Sequence, residues 1–236
     1  MGAFGDLTAG LLFVFLAAVM ALALTSGGWP GTRAIATSIT AATPAPDKPF
    51  TGTPVERRAK VVAALQGALA TDGVEVYVDL EDGVLRLPEQ LLFDTGKAAF
   101  KPTGELAVQA LARHLATFLP KCGGLEAVVI EGHTDNQPVQ APYDEAFGHV
   151  GDNWDLSFIR AKHTYAAVLA AAPLVGGLRN HSHEAVLCIG AFGPSRPVGD
   201  NAIEGGRLLN RRIDVRLVVE SDDALRTRRP GRRGNA

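Results

Sequence analysis

An apolar run near the N-terminus constrains this chain more than any other feature. Leu7 to Leu24 comprises 18 residues without a charged side chain. As an α-helix this run would extend about 27 Å, close to the ~30 Å of a bilayer's hydrocarbon core. A helix that is apolar on every face is typical of a membrane span rather than of a core helix. The sequence therefore predicts a transmembrane helix with a short tail over residues 1–24. A cleaved signal peptide is disfavoured because Met1–Gly5 contains no basic residue.

Asp6 stands at the N-terminal edge of this apolar run, and two interpretations of it remain open. In the first, the acid lies in an aqueous tail and starts the helix, where the helix dipole favours it by ~0.3–1 kcal/mol. In the second, it lies inside the membrane. There a carboxylate costs ~2.5–3.5 kcal/mol on insertion scales, and such residues usually mark an ion or proton site.

Composition and periodicity divide the rest of the chain into four segments. Residues 25–54 are rich in Gly, Pro, Thr and Ala, which predicts a flexible linker. Residues 55–73 have apolar positions at helical spacing, which predicts an amphipathic helix that packs on the following domain or contributes a dimer contact. Residues 74–221 form the main domain, and the basic segment 222–236 is predicted to be a disordered tail.

Strand and helix patterns alternate within the main domain. A turn at Gly83 between two apolar strands predicts a hairpin. The remaining predicted elements are helices at 105–119 and 156–169 and strands at 127–131, 185–189 and 211–219. This β-α-β-α-β-β order predicts a two-layer α/β sandwich.

Two charged residues stand out near the predicted strand and helix ends. Asp135 follows the strand at 127–131, and ligands in layered α/β folds bind beyond the carboxyl ends of strands. Ser157 is a good N-cap for the next helix, which would place Arg160 at the third helical position, facing the positive end of the helix dipole. A basic residue is unfavourable at that position, and such a conflict favours a functional role for Arg160 over a structural ion pair. Asp135 and Arg160 together would bind a zwitterion, the carboxylate taking an ammonium and the guanidinium a carboxylate.

Several classes of function find no support in the sequence. The formal net charge of −2 does not favour a nucleic-acid partner. We find no nucleophile-and-base set, phosphate loop or paired catalytic acids, so we expect a protein that is not an enzyme and needs no cofactor. His181 and His183 flank Ser182, but no third ligand is evident and we expect no metal site. Cys122 and Cys188 either pair in an oxidising compartment or stay free, with the free form favoured.

Five stretches of the domain resemble the OmpA-like peptidoglycan-binding family. They lie between Leu91 and Val219 and comprise LLFDTGKAAFKPTG, IEGHTD, NWDLSFIRA, GAFGPSRPV and NRRIDVRL. The resemblance implies that Asp135 and Arg160 bind the diaminopimelate of the peptidoglycan stem peptide. It also implies that four further residues line or support the pocket, namely Asp94, Thr134, Asn153 and Arg212. Since peptidoglycan lies outside the inner membrane, it further implies a periplasmic domain.

The whole layout resembles the B subunit of ion-driven rotary stators, a group that includes flagellar MotB and the ZorB subunit of Zorya anti-phage systems. DLTAGLLF at residues 6–13 and NWDLS at 153–157 carry this resemblance. It implies that Asp6 carries H⁺ or Na⁺, and that two B subunits sit within a ring of five multi-helix A subunits.

It further implies a single-pass inner-membrane protein with a cytoplasmic N-terminus. Arg33 follows the apolar run and by itself favours the opposite orientation, because basic residues favour the cytoplasmic side. We give the expected periplasmic location of the domain more weight than this one charge. Residues 92–94 lack a Met-Phe pairing, which favours the Zorya type over the flagellar type. The alternative is a passive membrane-tethered wall anchor without ion transport.

Overall fold

The computed structural model describes residues 48–139, 143–144 and 148–220. The predicted membrane helix with Asp6, most of the predicted linker and the predicted basic tail lie outside these residues. Within the described ranges, no helix has the length and apolar character needed to cross a membrane.

The first described element is helix α1, Pro54–Thr71. Thr53 caps it: the Thr53 hydroxyl accepts a hydrogen bond from the Glu56 amide, and the Glu56 carboxylate accepts one from the Thr53 amide. Of the apolar positions in the predicted amphipathic helix, Val55 is exposed and three are buried in the core, namely Val62, Leu65 and Leu69. The helix therefore packs on the domain, as one of the two sequence alternatives proposed.

One five-stranded sheet forms the β layer. Its strands are β1 (Tyr77–Asp79), β2 (Val84–Pro88), β3 (Leu125–His133), β6 (Leu187–Gly193) and β7 (Arg212–Val219). The short β4 (Tyr143–Asp144) and β5 (Gly148–His149) pair separately. The spatial order is β1-β2-β7-β3-β6, and only the β3–β6 pair is parallel. The predicted hairpin is confirmed: β1 pairs with β2, and Gly83 has a φ of 67° in the turn.

The helices that follow α1 are α2 (Glu89–Leu92), α3 (Pro102–Phe118), α4 (Asn153–Ala171), α5 (Pro173–Gly177) and α6 (Glu204–Asn210). Residues of α1, α3 and α4 share one continuous apolar core with the inner face of the sheet, so the mixed α/β architecture is as predicted. The short helices α2, α5 and α6 were not predicted. Each has at most two turns, which is too short for a helical period to emerge from the sequence.

Strand β7 has two faces of opposite character. Ile213, Val215 and Leu217 are buried in the core, as the alternation predicted. Arg212 and Asp214 lie on the other face and are also almost fully buried. At this end of the outer face the two charged side chains are therefore shielded from solvent and must be satisfied within the protein.

The predicted start of α4 is wrong. The helix begins at Asn153, and Asp152 is its N-cap, with Oδ1 accepting hydrogen bonds from two helix amides at 2.8 and 2.9 Å. Ser157, predicted as the cap, lies within the helix and is fully buried. Arg160 is consequently the eighth helical residue rather than the third, so it does not oppose the helix dipole. Its location must be explained by its contacts instead.

Both cysteines are free. Cys122 is buried after the 3-10 turn Leu119–Lys121, and Cys188 is half-buried in β6 rather than fully buried. The favoured alternative from the sequence is thus the one observed.

Candidate functional site

Asp135 and Arg160, the predicted zwitterion-binding pair that we call the clamp, belong to one chain of ion pairs. Arg160 on α4 pairs with one carboxylate oxygen of Glu89 at the start of α2, and the other Glu89 oxygen lies 2.7 Å from Arg211 Nε. Arg211 Nη1 pairs with Asp135 Oδ2, and Arg211 Nη2 lies 2.8 Å from a carboxylate oxygen of Glu204. The tertiary structure thereby joins residues from four separate parts of the chain.

Asp135 occupies a rigid turn directly after β3. Its side chain is 8% exposed, and its Oδ1 accepts a hydrogen bond from the Gln137 amide at 3.0 Å. Asn153 is the first residue of α4, and its Nδ2 donates to the carbonyls of Asp135 at 3.3 Å and Gln137 at 2.7 Å. The side chain of Asn153 therefore ties this turn to the helix that carries Arg160.

Arg160 is held on three sides. It is only 2% exposed, and its Nε donates to the Lys97 carbonyl at 2.8 Å. The guanidinium carbon lies 5.1 Å from the centre of the Phe93 ring, a cation–π arrangement. Burial lowers the pKa of Arg160 from its ordinary value, while the charge and hydrogen bond of Glu89 oppose that effect. Its hydrogen bonds to the described residues involve Nε and Nη2, and none of them involves Nη1.

Arg211 is the hub of the network. Burial acts to lower its pKa, but hydrogen bonds from Glu204 and Asp135 and the negative charges of Glu89 and Asp135 outweigh burial, so the net pKa is raised. Because Arg211 already neutralises Asp135, an incoming ammonium would exchange with this guanidinium rather than meet a bare carboxylate. The displaced guanidinium would then be available to a ligand carboxylate.

Thr134 and Asp94 lie beside this network. Thr134 is 3% exposed, and its amide donates to the Gly193 carbonyl at 3.0 Å, which links the end of β3 to β6. The Asp94 carbonyl accepts a hydrogen bond from Arg160 at 3.4 Å, while its exposed carboxylate lies 3.4 Å from Lys97 Nζ. Thr134 thus supports the Asp135 turn, and Asp94 offers a carboxylate at the surface.

Arg212, the last of the predicted pocket residues, belongs to a different set of contacts. Its Nε lies 3.0 Å from Asp214 Oδ2, and its other nitrogens donate to the carbonyls of Asn210 and Arg196. Burial lowers its pKa, with Asp214 opposing that effect. In the NRR motif it is therefore Arg211, not Arg212, that contacts Asp135.

Sequence reasoning missed Glu89 and Arg211. Glu89 begins the four-residue α2, and nothing local distinguishes it from a surface acid. The only hint in the sequence is that Glu89 directly follows the apolar strand β2, where a charge that becomes buried requires a partner. Arg211 stands just before β7, next to the arginine that the motif emphasised. Neither partnership can be recognised without the sheet order that places β2 beside β7.

A second polar cluster supports the site from the outer face of the sheet. His133 is buried, stacks on Phe192 with ring centres 5.4 Å apart, and has its Nε2 3.6 Å from both Glu131 and Asp214. Arg216 pairs with Glu131 at 2.8 Å. Burial lowers the pKa of His133, although the neighbouring carboxylates act to raise it. The cluster fixes the strand end from which Thr134 and Asp135 extend.

Two surface grooves lie away from this network. One, of about 420 Å³, is apolar and lined by residues that include Pro120 and Leu174. The other, of about 490 Å³, is lined by residues that include Phe100 and Arg113. Neither groove is lined by a residue of the ion-pair chain.

The sequence is similar to two curated proteins. Motility protein B of Bacillus subtilis is 24% identical over 145 residues, which cover 61% of this chain and 48% of that protein. A protein named "Probable lipoprotein YiaD" of Escherichia coli is 26% identical over 155 residues, or 66% of this chain and 60% of that protein. The chain thus spans less than two thirds of the length of either relative. No protein-family profile matches the sequence.

The fold is similar to that of a solved bacterial structure. A MotB-like protein from Desulfovibrio vulgaris superposes with a TM-score of 0.54 at 21% identity, covering 70% of this chain and 96% of that one. This likeness shows a shared fold, and it covers much more of the chain than the residues of the ion-pair network. The sequence and the fold are thus similar to those of MotB-like proteins.

Proposed function

We propose that this chain anchors a membrane complex to peptidoglycan by binding the diaminopimelate of the stem peptide. The observation that carries the proposal is the buried network in which Glu89 and Arg211 connect Arg160 to Asp135. The domain is periplasmic in this proposal, because peptidoglycan lies outside the inner membrane.

The chemistry of diaminopimelate matches this network. The free end of its side chain carries an ammonium and a carboxylate on one carbon, and is a zwitterion. The ammonium would take the place of the Arg211 guanidinium on Asp135, and the carboxylate would then bind to Arg211 and to Nη1 of Arg160. Asp94, Thr134, Asn153 and Arg212 keep their proposed roles in lining or supporting the pocket.

The strength of this binding follows from the number of charged contacts. Each charge-assisted hydrogen bond is worth ~1.5–3 kcal/mol, so a single site would bind moderately. A dimer presents two sites to one polymer, and the effective concentration of the second site raises the overall affinity. We therefore propose that the chain works as a dimer.

The clamp is tested by titrating the full chain with two stem peptides, one with diaminopimelate and one with lysine at the same position. Lysine keeps the ammonium but lacks the neighbouring carboxylate. We expect the wild-type protein to favour the diaminopimelate peptide, and Asp135→Asn to weaken its binding by about tenfold or more, the equivalent of one charge-assisted contact.

Two further variants complete that test. Arg160→Lys keeps the charge but loses the forked geometry and should lower the preference between the two peptides. Asp82→Asn, in the exposed turn of the β1–β2 hairpin, is the matched control and should bind like the wild type. Unchanged affinity in Asp135→Asn, with an unchanged circular dichroism spectrum, would show that the assigned pocket is wrong.

We further propose that the chain is the B subunit of an ion-driven rotary stator, with Asp6 carrying H⁺ or Na⁺. The support is the Motility protein B relative and the resemblance of residues 6–13 to the stator signature. In this proposal two copies sit within five multi-helix A subunits in the inner membrane, each with a single span and a cytoplasmic N-terminus. The Zorya anti-phage type is favoured over the flagellar type.

Asp6→Asn tests the motor directly. The variant is produced with its A-type partner, and the biological output, phage resistance or motility, is measured beside expression and wall binding. Loss of output with normal expression and wall binding is the expected result, because an amide cannot exchange the ion. Full output from the variant would contradict ion transport through Asp6.

A passive wall anchor is the second candidate. The relative named as a lipoprotein favours it, since that name describes a membrane-attached protein and not a motor. In a passive anchor, Asp6→Asn has no effect and Asp135→Asn weakens wall attachment. In a stator, each variant abolishes output, but only Asp135→Asn releases the wall. The two variants together thus distinguish the candidates.

A further inference from the structure

A second cluster of potential ligands lies at the other end of β3. Glu126 on β3, His181 in the loop after α5, and Glu220 just beyond β7 place one potential ligand atom each within 4.8 Å of the others. His181 Nδ1 and Glu220 Oε1 are 3.2 Å apart. Nine residues of extended chain, about 30 Å, separate Glu126 from Asp135, so this cluster is distinct from the clamp.

The loop that carries His181 is held in place by Asn180. Asn180 is 7% exposed, and its Nδ2 donates to the Glu126 carboxylate at 3.1 Å. Its Oδ1 accepts a hydrogen bond from the Glu184 amide at 2.9 Å, which closes the turn. The amide of Glu220 donates to the Gly124 carbonyl at 2.8 Å, which fixes the third ligand beside β3. These contacts of the fold therefore hold together the chain segments that carry the three side chains.

The cluster contains an orphaned oxygen. Glu126 Oε2 is shielded from solvent and has no hydrogen-bond partner among the described residues. A buried polar atom without a partner destabilises the folded state, and does so more when it is charged. The Glu220 side chain is 7% exposed, whereas His181 is 42% exposed and leaves a route from solvent. A cation bound between these groups would satisfy the orphaned oxygen.

A second cluster of similar composition has a different role. Glu131, His133 and Asp214 also bring three ligand atoms within 4.8 Å of one another. There, however, Arg216 pairs with Glu131 and Arg212 pairs with Asp214. Two guanidinium groups already neutralise those carboxylates and would repel a metal cation, so that cluster is a structural network.

We propose that Glu126, His181 and Glu220 bind a divalent transition-metal ion of the zinc class. One imidazole nitrogen and two carboxylate oxygens are a ligand set that suits Zn²⁺, whereas Mg²⁺ and Ca²⁺ prefer oxygen ligands alone. Two ligands, each about 2.1 Å from a tetrahedral ion, lie about 3.4 Å apart, close to the separation of His181 Nδ1 and Glu220 Oε1. Water would complete the coordination.

This site revises the expectation from the sequence. The pair His181 and His183 gave no third ligand, and His183 is not a member of the cluster. The missing ligands are carboxylates from distant strands, which only the sheet brings near. The ion would join the end of β7 to β3 and to the loop before β6.

The test is a zinc titration of the full chain after removal of metal with a chelator, using a competing chromophoric chelator as the reporter. We expect one strong site that Mg²⁺ does not fill. Glu126→Gln and His181→Ala should each weaken zinc binding by about tenfold or more. Loss of a group that only supports a ligand typically lowers metal affinity 10–100-fold, and loss of a ligand itself should lower it at least as much. His183→Asn, in the same turn, is the matched control and should bind like the wild type.

Thermal unfolding supplies a second measurement that does not depend on the reporter. Zinc should raise the Tm of the wild type and of His183→Asn, because an ion that binds only the folded state stabilises it. At the same zinc concentration it should raise the Tm of Glu126→Gln by less, and the near-identical shape of this side chain preserves the fold. Absence of zinc binding by the wild type, or equal binding by Glu126→Gln and His181→Ala, would overturn the proposal. Neither result depends on the peptidoglycan clamp.

Discussion

Glu89 and Arg160 form an ion pair in which the two side chains are only 3% and 2% exposed. Removing one partner of a buried pair leaves the other charge uncompensated, which typically costs ~3–5 kcal/mol. Here the second partner of Glu89, Arg211, would also lose its neighbour. The pair is therefore a central support of the site as well as of the fold.

We expect Glu89→Gln to lower the free energy of unfolding by about 3 kcal/mol or more, since the buried guanidinium of Arg160 and the partly buried one of Arg211 then face a neutral amide. Urea denaturation followed by far-UV circular dichroism measures the change. Lys97→Met is the control, because its ion pair with Asp94 is exposed and such pairs contribute ~0–1 kcal/mol. Similar losses in the two variants would contradict a special role for the buried pair.

Gly132 allows β3 to approach α4 closely. A Cβ atom at this position would lie 2.0 Å from the Ser157 carbonyl oxygen, a backbone atom that cannot move without shifting the helix. We expect Gly132→Ala to destabilise the protein by about 1–3 kcal/mol or more, as overpacking does. Gly123→Ala is the control, since nothing lies within 4 Å of its Cβ position. Equal Tm values for these two variants would refute the prediction.

His133 should make the folded state less stable in mild acid. Burial lowers its pKa below the ordinary 6.5, so below that pH the unfolded chain takes up a proton that the folded protein does not. The free energy of unfolding then decreases as the pH falls from 6.5 towards the lower folded pKa, by up to about 1.4 kcal/mol per pH unit. Below the folded pKa this contribution becomes constant.

We expect His133→Gln to reduce this loss. The measurement is the difference between the free energies of unfolding at about pH 7.5 and about pH 5.5, compared between wild type and variant. Glu131 does not interfere in that window. Burial acts to raise its pKa, but the neighbouring His133 and the hydrogen bonds from Arg216 outweigh burial and hold the pKa below 4.5. Its contribution is therefore lost only in stronger acid. If the free energy of unfolding changes between these two pH values as much in His133→Gln as in the wild type, His133 is not the source of the destabilisation in acid.

Asp152 should stabilise the helix that carries Arg160. Its carboxylate accepts hydrogen bonds from the amides of Trp154 and Asp155, which have no partner within the helix. We expect Asp152→Ala to lower the free energy of unfolding by about 1 kcal/mol. Asp82→Ala, in an exposed turn, should change it by no more than about 0.5 kcal/mol. A result within that control range would contradict the cap.

Residue patterns were enough to predict the main elements of the domain. The alternation along β7 and the turn at Gly83 depend on neighbours in the chain, and the structure has them as expected. The start of α4 was misplaced because two good caps, Asp152 and Ser157, lie five residues apart and local preference does not choose between them. Packing chooses: Ser157 is buried, and its hydroxyl accepts a hydrogen bond from the Gly193 amide.

The sequence by itself determined the class of the fold, the apolar N-terminal run and the identity of Asp135 and Arg160 as candidate site residues, because each of these depends on local composition or on a short motif. Only the tertiary structure decided which charges meet. Glu89, Arg211 and the cluster of Glu126, His181 and Glu220 take their meaning from sheet order and loop position. Electrostatic partnership depends on distance in space, and a linear sequence does not contain that distance.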